Sequence, residues 1–531
     1  MKRWGVLIIL ALSMFIIVID TTIMNVSISA LVKDLNTTVG GVQAAISIYA
    51  LVMASLMLVG GKLGDIVGKK KIFTLGLIFF GIGTSTAAVS QNLVMLIVGW
   101  SIIEGIGSAL MLPNIQTILR GQYSGGDRAL GYGVIGAVSA VGAALGPIIG
   151  GYLTTFHTWR YAFLFEVAIV VLVLLLRGLI KKDVLPRIKP KFDLVGAVLT
   201  FVGLASIVLA FLLVQEYGLW TAKKAFEVGG LSIAPLGLSV VPFMIGFGIV
   251  ILMLLFRYES KLEKQNKNPL FKPSMFSNKL FKSGIITDFF RLAITTGLLF
   301  TFPLYLQMTF EFTAMQTGVA LLPFSAAVLV LSLLGARLAS QIKSKRLIQA
   351  GFVLTTAGSL WLAFAIDPDT PEKIILATTV IGAGIGLLAS QIINLVLSVV
   401  PRKETGEAAG IDGTAQQLGN AIGVALIGTI LFSTLTAGIL KGIDQSEVMP
   451  PEIKTEAKMK ADEDAQLVSD SALTQEVEKL GLSEEAGEEL FGIYTGARIR
   501  GFQGAIMLVF FMGIIGLLVT PGLPDKKLVK G

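Results

Sequence analysis

The chain has no cysteine, so no disulfide and no thiolate chemistry operate anywhere in its 531 residues. Charged residues make up only 15%, too few for a soluble enzyme with a large core. No phosphate loop, no nucleophile constellation and no metal-ligand cluster stands along the sequence. A Gly-x-Gly-x-x-Gly strand–helix element is also missing, so no drive by ATP and no cofactor are expected. What is abundant is apolar sequence. Hydrophobic residues are 54% of the chain and the mean hydropathy is +0.80.

Apolar runs of the length needed to cross a bilayer, ~20 residues, recur from end to end. They fall near 4–30, 42–62, 72–90, 93–119, 129–153, 161–180, 193–215, 232–256, 284–306, 314–340, 347–366, 373–399, 408–436 and 501–520. This predicts an all-α membrane protein of fourteen transmembrane helices. The first run is too long for a cleaved signal and no small-residue cleavage site follows it, so it is expected to stay as a span. Basic residues sit on alternate connections: Lys62 and Lys69 to Lys71, Arg120 and Arg128, Arg177 to Lys191, Arg257 to Lys282, Lys343 to Arg346, and the final lysines. The positive-inside rule then puts both termini in the cytoplasm. Residues 441–500 differ, with 14 acidic and 7 basic side chains. The basic balance of the rest reflects membrane topology and does not point to nucleic acid.

Carboxylates inside apolar runs are costly and mark function by default. Asp20 lies in span 1, followed by Thr21, Thr22 and Asn25; Glu104 lies in span 4; Asp412 lies in span 13 with Gln416 and Gln417. Asp288 and Arg291 are three apart at the start of span 9, a spacing that lets them pair on one helix face. Phe300 and Tyr305 follow in the same span and are candidate linings for a lipophilic ligand, as are Asn25 and Gln416. In span 5, Gly146 and Gly150 share a face that admits close helix approach, and Gly142, Pro147 and Gly151 flank them. Pro147 removes an amide and is expected to bend the helix. The loop 437–500 reads as helical over 467–480 and 484–493, either a hairpin over the outer mouth or a solvated spacer.

The loop Gly61-Lys-Leu-Gly64-Asp65-Ile66-Val-Gly68-Lys69 resembles the cytoplasmic signature of the major facilitator transporters, with Ile66 where arginine is usual. Span 4 resembles the family's Gly-rich signature, with Ser101 in place of the arginine associated with proton coupling. The run Gly142-x-x-x-Gly146-Pro147-x-x-Gly150-Gly151 resembles the antiporter signature. With Trp159-Arg160-Tyr161-Ala162-Phe163, it is similar to the fourteen-span drug–proton antiporters of the EmrB and QacA type. The resemblance implies the major facilitator fold: a six-span bundle in 1–180, two inserted spans with cytoplasmic linkers in 181–283, and a second six-span bundle in 284–531 that includes the acidic outer loop 437–500. Such halves are built from inverted triplets around a midplane site. It also implies a monomeric, proton-driven exporter of lipophilic cations in the cell membrane. Its partners are the bilayer, a small-molecule substrate and protons. The proposed proton or cation groups are Asp20, Glu104 and Asp412. Gly61, Gly64, Asp65, Gly68 and Lys69 and the span 5 glycines with Pro147 are conformational signatures. Two other readings fit the same residues: export of an endogenous lipid, peptide or metabolite, and a non-transporting sensor or scaffold.

Overall fold

The computed structural model describes residues 4–123, 125–181, 192–228, 231–233, 237–339, 341–366, 371–401, 405–449, 454–455, 457–458, 467–479 and 484–525. Among them, fourteen helices are long and apolar enough to cross a membrane. Spans 1–7 are Gly5–Val26, Val39–Val67, Lys69–Ala88, Leu93–Gln122, Val134–Phe156, Arg160–Leu179 and Leu194–Val214. Spans 8–14 are Val240–Lys264, Lys279–Thr309, Ala314–Leu338, Ser344–Ala365, Glu372–Ile393, Glu407–Gln445 and Glu484–Gly522. Polar caps start many of them by accepting the orphan amides of the first turn. Asn92 accepts from the Met95 N–H at 2.9 Å, Asp193 from Gly196 at 2.9 Å, and Thr313 and Gln316 close a capping box ahead of span 10. Between spans 2 and 3 the chain turns at Gly68 with φ 114°, a left-handed conformation that favours glycine.

Several span boundaries depart from the apolar runs. Span 1 stops at Val26, and a separate short helix, Ile28–Asp34, follows it. The break falls at Ser27, whose hydroxyl turns to the Ile23 carbonyl and to Thr154 at 2.8 Å. A serine that bonds its own backbone competes with the helix ladder. Span 8 begins at Val240, not near 232, and residues 231–233 are a β-strand. Strand β1 (Phe226–Val228) pairs antiparallel with β2 (Leu231–Ile233), Phe226 opposite Ile233. The sequence between the strands is Gly-Gly, a favoured two-residue hairpin connection. A short apolar run is ambiguous between strand and helix by periodicity alone. The acidic loop is helical over Asp470–Lys479 and from Glu484, near the expected 467–480 and 484–493, while span 13 runs on to Gln445 and span 14 starts at Glu484, well beyond their apolar runs 408–436 and 501–520.

Packing repeats with an offset of eight spans. Span 1 packs on 5 and 6, 2 on 4, and 3 on 4 and 6; correspondingly span 9 packs on 13 and 14, 10 on 12, and 11 on 12 and 14. These are the two six-helix bundles. Spans 7 and 8 pack on each other, and span 7 also lies against spans 2 and 13. The bundles meet through span 2 on span 13 and span 5 on span 10. Polar ties join them at the end carrying residues 26–34. There Gln307 donates to the Val26 carbonyl at 2.9 Å, and the Met315 N–H donates to Thr155 at 2.9 Å.

Candidate functional site

Three spans of the first bundle each carry one buried carboxylate to the same point. Asp20 (span 1), Glu104 (span 4) and Glu166 (span 6) are at most 1% exposed, and each brings an oxygen within 4.8 Å of the others. No lysine or arginine pairs with any of them among the described residues. Their hydrogen bonding is unequal. Trp100 Nε1 donates to both oxygens of Asp20, at 2.8 and 3.0 Å. Tyr49 stacks on Trp100 with ring centres 4.9 Å apart and shares a hydrogen bond with Ser108 at 2.9 Å. The Thr84 hydroxyl donates to Glu166 at 3.1 Å. Both oxygens of Glu104 are buried without a partner. Ser101, at the position where the family signature has arginine, is fully buried and donates to the Ala45 carbonyl at 2.7 Å. It ties span 4 to span 2 and supplies no charge.

Two unit charges about 5 Å apart repel by roughly 3 kcal/mol at an effective dielectric of ~20. Three carboxylates at that spacing therefore resist being ionised together, and a proton or a cationic ligand relieves them. Sequence spacing showed no metal cluster, whereas folding gathers these three acids. Their converging oxygens can be compensated by a proton or by a cation.

The second bundle holds a different cluster. Asp288 and Arg291 of span 9 pair at 2.5 Å, as their spacing allowed. Gln416 of span 13 donates to Asp288 at 2.8 Å and to Asp412 at 2.9 Å. Asp412 is buried, and its second oxygen has no partner. Gln416, a candidate substrate lining by sequence, thus ties two carboxylates together. Phe300 is fully buried, and Tyr305 packs edge-on against Phe502 and Phe310 at 5.0 and 5.6 Å. Asn25 is buried and donates to the Thr21 carbonyl at 2.8 Å.

The glycine signature of span 5 is a packing face. Added side-chain atoms at Gly142, Gly146 and Gly150 would meet Val18, Thr22 and Ile23 of span 1; at Gly151 they would meet the Ala314 carbonyl of span 10. The Pro147 carbonyl lies against Gly318 of span 10. In the loop signature Gly64 abuts Asn114, Gly61 lies against Pro113, and Asp65 pairs with Lys69 at 3.7 Å with its side chain 61% exposed. The Trp159–Arg160 pair closes on Asp34, with Trp159 Nε1 donating at 3.0 Å and Arg160 ion-paired to it.

Residues 10–424 match the profile of the Major Facilitator Superfamily. The chain belongs to the Major Facilitator Superfamily. It is 27% identical over 435 residues to the puromycin resistance protein pur8 of Streptomyces alboniger, covering 81% of this chain and 82% of that one. It is 26% identical over 460 residues to the multidrug efflux pump LfrA of Mycolicibacterium smegmatis, covering 85% and 84%. Its fold matches a bacterial homolog of the human lysosomal transporter Spinster in an inward-facing, unoccupied conformation. That match has 14% identity and a TM-score of 0.61, and covers 100% of this chain and 99% of that one. As a superfamily member the chain is a multi-pass membrane transporter and not an enzyme, and it resembles drug-resistance and efflux proteins.

Glu166 was missed in the sequence reading. It stands three residues beyond Trp159-Arg160-Tyr161-Ala162-Phe163 as a lone carboxylate in an otherwise apolar run. That signal, the same that marked Asp20 and Glu104, was sufficient to find it.

Proposed function

We propose that the protein is a proton-coupled antiporter that exports lipophilic cationic compounds across the cell membrane by alternating access, with both termini cytoplasmic. The observation that carries the reading is the uncompensated triad of Asp20, Glu104 and Glu166. Such a group must take up a proton or a cation, and it can exchange one for the other. Drug-resistance relatives support a lipophilic substrate, and aromatic faces near the acids suit a cation. The second bundle's Asp288, Arg291, Asp412 and Gln416 serve as the opposing polar wall. The division into bundles at 1–180 and 284–531, with inserted spans in 181–283, follows the packing repeat. No group beyond the proton gradient is needed to drive it.

The test is transport in proteoliposomes with an imposed proton gradient and a panel of cationic dyes. Efflux should follow the gradient, and Asp20→Asn, Glu104→Gln and Glu166→Gln should each suppress it, with different effects on substrate range. Dye movement indifferent to the gradient would remove proton coupling. Absence of turnover for every dye, lipid and metabolite tried would favour a sensor or scaffold.

A further inference from the structure

We propose that Asp193 and Glu259, in the inserted spans, share one proton, and that this proton fastens a brace linking the two bundles. Asp193 is 7% exposed and Glu259 is fully buried. Each has one oxygen in use. Asp193 Oδ1 accepts from the Gly196 N–H at 2.9 Å and from the Tyr258 hydroxyl at 3.2 Å. Glu259 Oε2 accepts from the Leu270 N–H at 3.0 Å. The other two oxygens, Asp193 Oδ2 and Glu259 Oε1, are buried without a partner. Both face the space that Gly196 leaves by having no side chain, where an added Cβ would meet these two oxygens first. A single proton between them satisfies both orphan atoms, one as donor and one as acceptor.

The other titratable or charged groups facing the pair are few. Span 8 offers the Tyr258 hydroxyl, already donated to Asp193, and Glu263, turned to the Ser274 N–H at 3.1 Å. Span 2 offers Lys62, whose ammonium donates to the Pro269 carbonyl at 2.9 Å. Lys189 and Lys191 precede Asp193 outside the described residues. No lysine or arginine ion-pairs with Asp193 or Glu259 among the described residues.

The pair holds a structural element that reaches both bundles. Glu259 anchors the segment after span 8 at Leu270. That segment touches the first bundle through Lys62 and Pro269, and the second through Lys272, which pairs with Glu407 of span 13 at 3.8 Å. With the proton gone, two like charges face each other in a buried place and the shared hydrogen bond is lost. The anchor then loosens, and the brace yields at the end of the molecule that carries the basic loops. The inserted spans so form a pH-responsive strut, separate from the triad that drives export. The inference does not rest on export, and only the side from which the proton arrives depends on the proposed topology.

The absence of cysteine makes the test direct. Lys71→Cys and Lys267→Cys, both at exposed positions, take spin labels across the junction in the full chain. Distances are read in proteoliposomes without substrate or gradient, so failure of the export reading leaves the result unaffected. The wild-type pair should shift from a narrow to a broad distribution as pH rises. Glu259→Gln and Asp193→Asn keep the hydrogen bond without a titrating proton and should stay narrow at every pH. Glu259→Ala should be broad at every pH. A wild-type distribution that does not change with pH, a Glu259→Gln distribution that broadens as wild type does, or a narrow Glu259→Ala overturns the proposal.

Discussion

The two bundles share their helix pairing and differ in their charges. In both, the first span of the bundle lies against the fifth through glycines: Gly146 and Gly150 against Thr22 and Ile23 in one, Gly419 and Gly423 against the Phe289 and Ala293 carbonyls in the other. Among the described residues, the first bundle then gathers three carboxylates and no cation, while the second gathers two carboxylates, a guanidinium and an amide that bridges them. A pairing scheme repeated twice thus encloses one cluster that needs an outside charge and one that is largely balanced from within. The backbone packing is common property of the fold, and the ionisable side chains are where the halves take separate roles.

The largest effects should come from breaking what the halves share. Gly146→Leu and Gly423→Leu each force a side chain into a close helix contact. Both should abolish transport with little loss of membrane insertion. Transport assayed in well-expressed protein decides, and a mutant with wild-type rates in either half would end the equivalence of the two helix pairs.

Next in size is the charge difference itself. Removing the cation that pairs in the second cluster, by Arg291→Met, leaves Asp288 and Asp412 without it. Breaking a buried ion pair on one side costs about 3–5 kcal/mol, so thermal stability should drop sharply, and Arg291→Met with Asp288→Asn should restore much of it. In the first bundle, Trp100→Phe removes the donor to both Asp20 oxygens. A hydrogen bond to a charged group is worth about 1.5–3 kcal/mol, so stability should fall less and gradient-driven efflux should suffer more. Equal losses of stability from Arg291→Met and Trp100→Phe would erase the contrast between the clusters.

The smallest effect concerns the acidic loop, which is tied to the second bundle through Arg498 and Glu311. Arg498, nearly fully buried, donates to the Val468 carbonyl at 2.9 Å and pairs with Asp470. The Ser471 N–H donates to Glu311 at 2.7 Å and holds that carboxyl below its usual value. A lowered carboxylate stabilises the docked loop fully above its ordinary value. That contribution fades as pH falls through the lowered one. Hydrogen exchange over 467–479 should therefore quicken in the acid range, and Glu311→Gln should quicken it at neutral pH and remove that pH step. Exchange that is indifferent to both would show that Glu311 does not hold the loop.

The sequence by itself determined the number of spans, the order of the bundles and the family, because length, hydropathy and the glycine signatures act locally along the chain. It also marked most of the buried acids, since a carboxylate in an apolar run is visible without a fold. It misplaced the ends of spans 1, 8, 13 and 14: Ser27 breaks span 1, strand pairing takes residues ahead of span 8, and spans 13 and 14 extend as helices past their apolar runs. It did not show that Asp20, Glu104 and Glu166 meet, that Gln416 links Asp288 to Asp412, or that Asp193 and Glu259 converge over Gly196. Those contacts join residues up to 146 positions apart, counting from Asp20 to Glu166. Only helix packing sets which faces turn toward each other, and so whether a buried charge finds a cation, an amide or another acid.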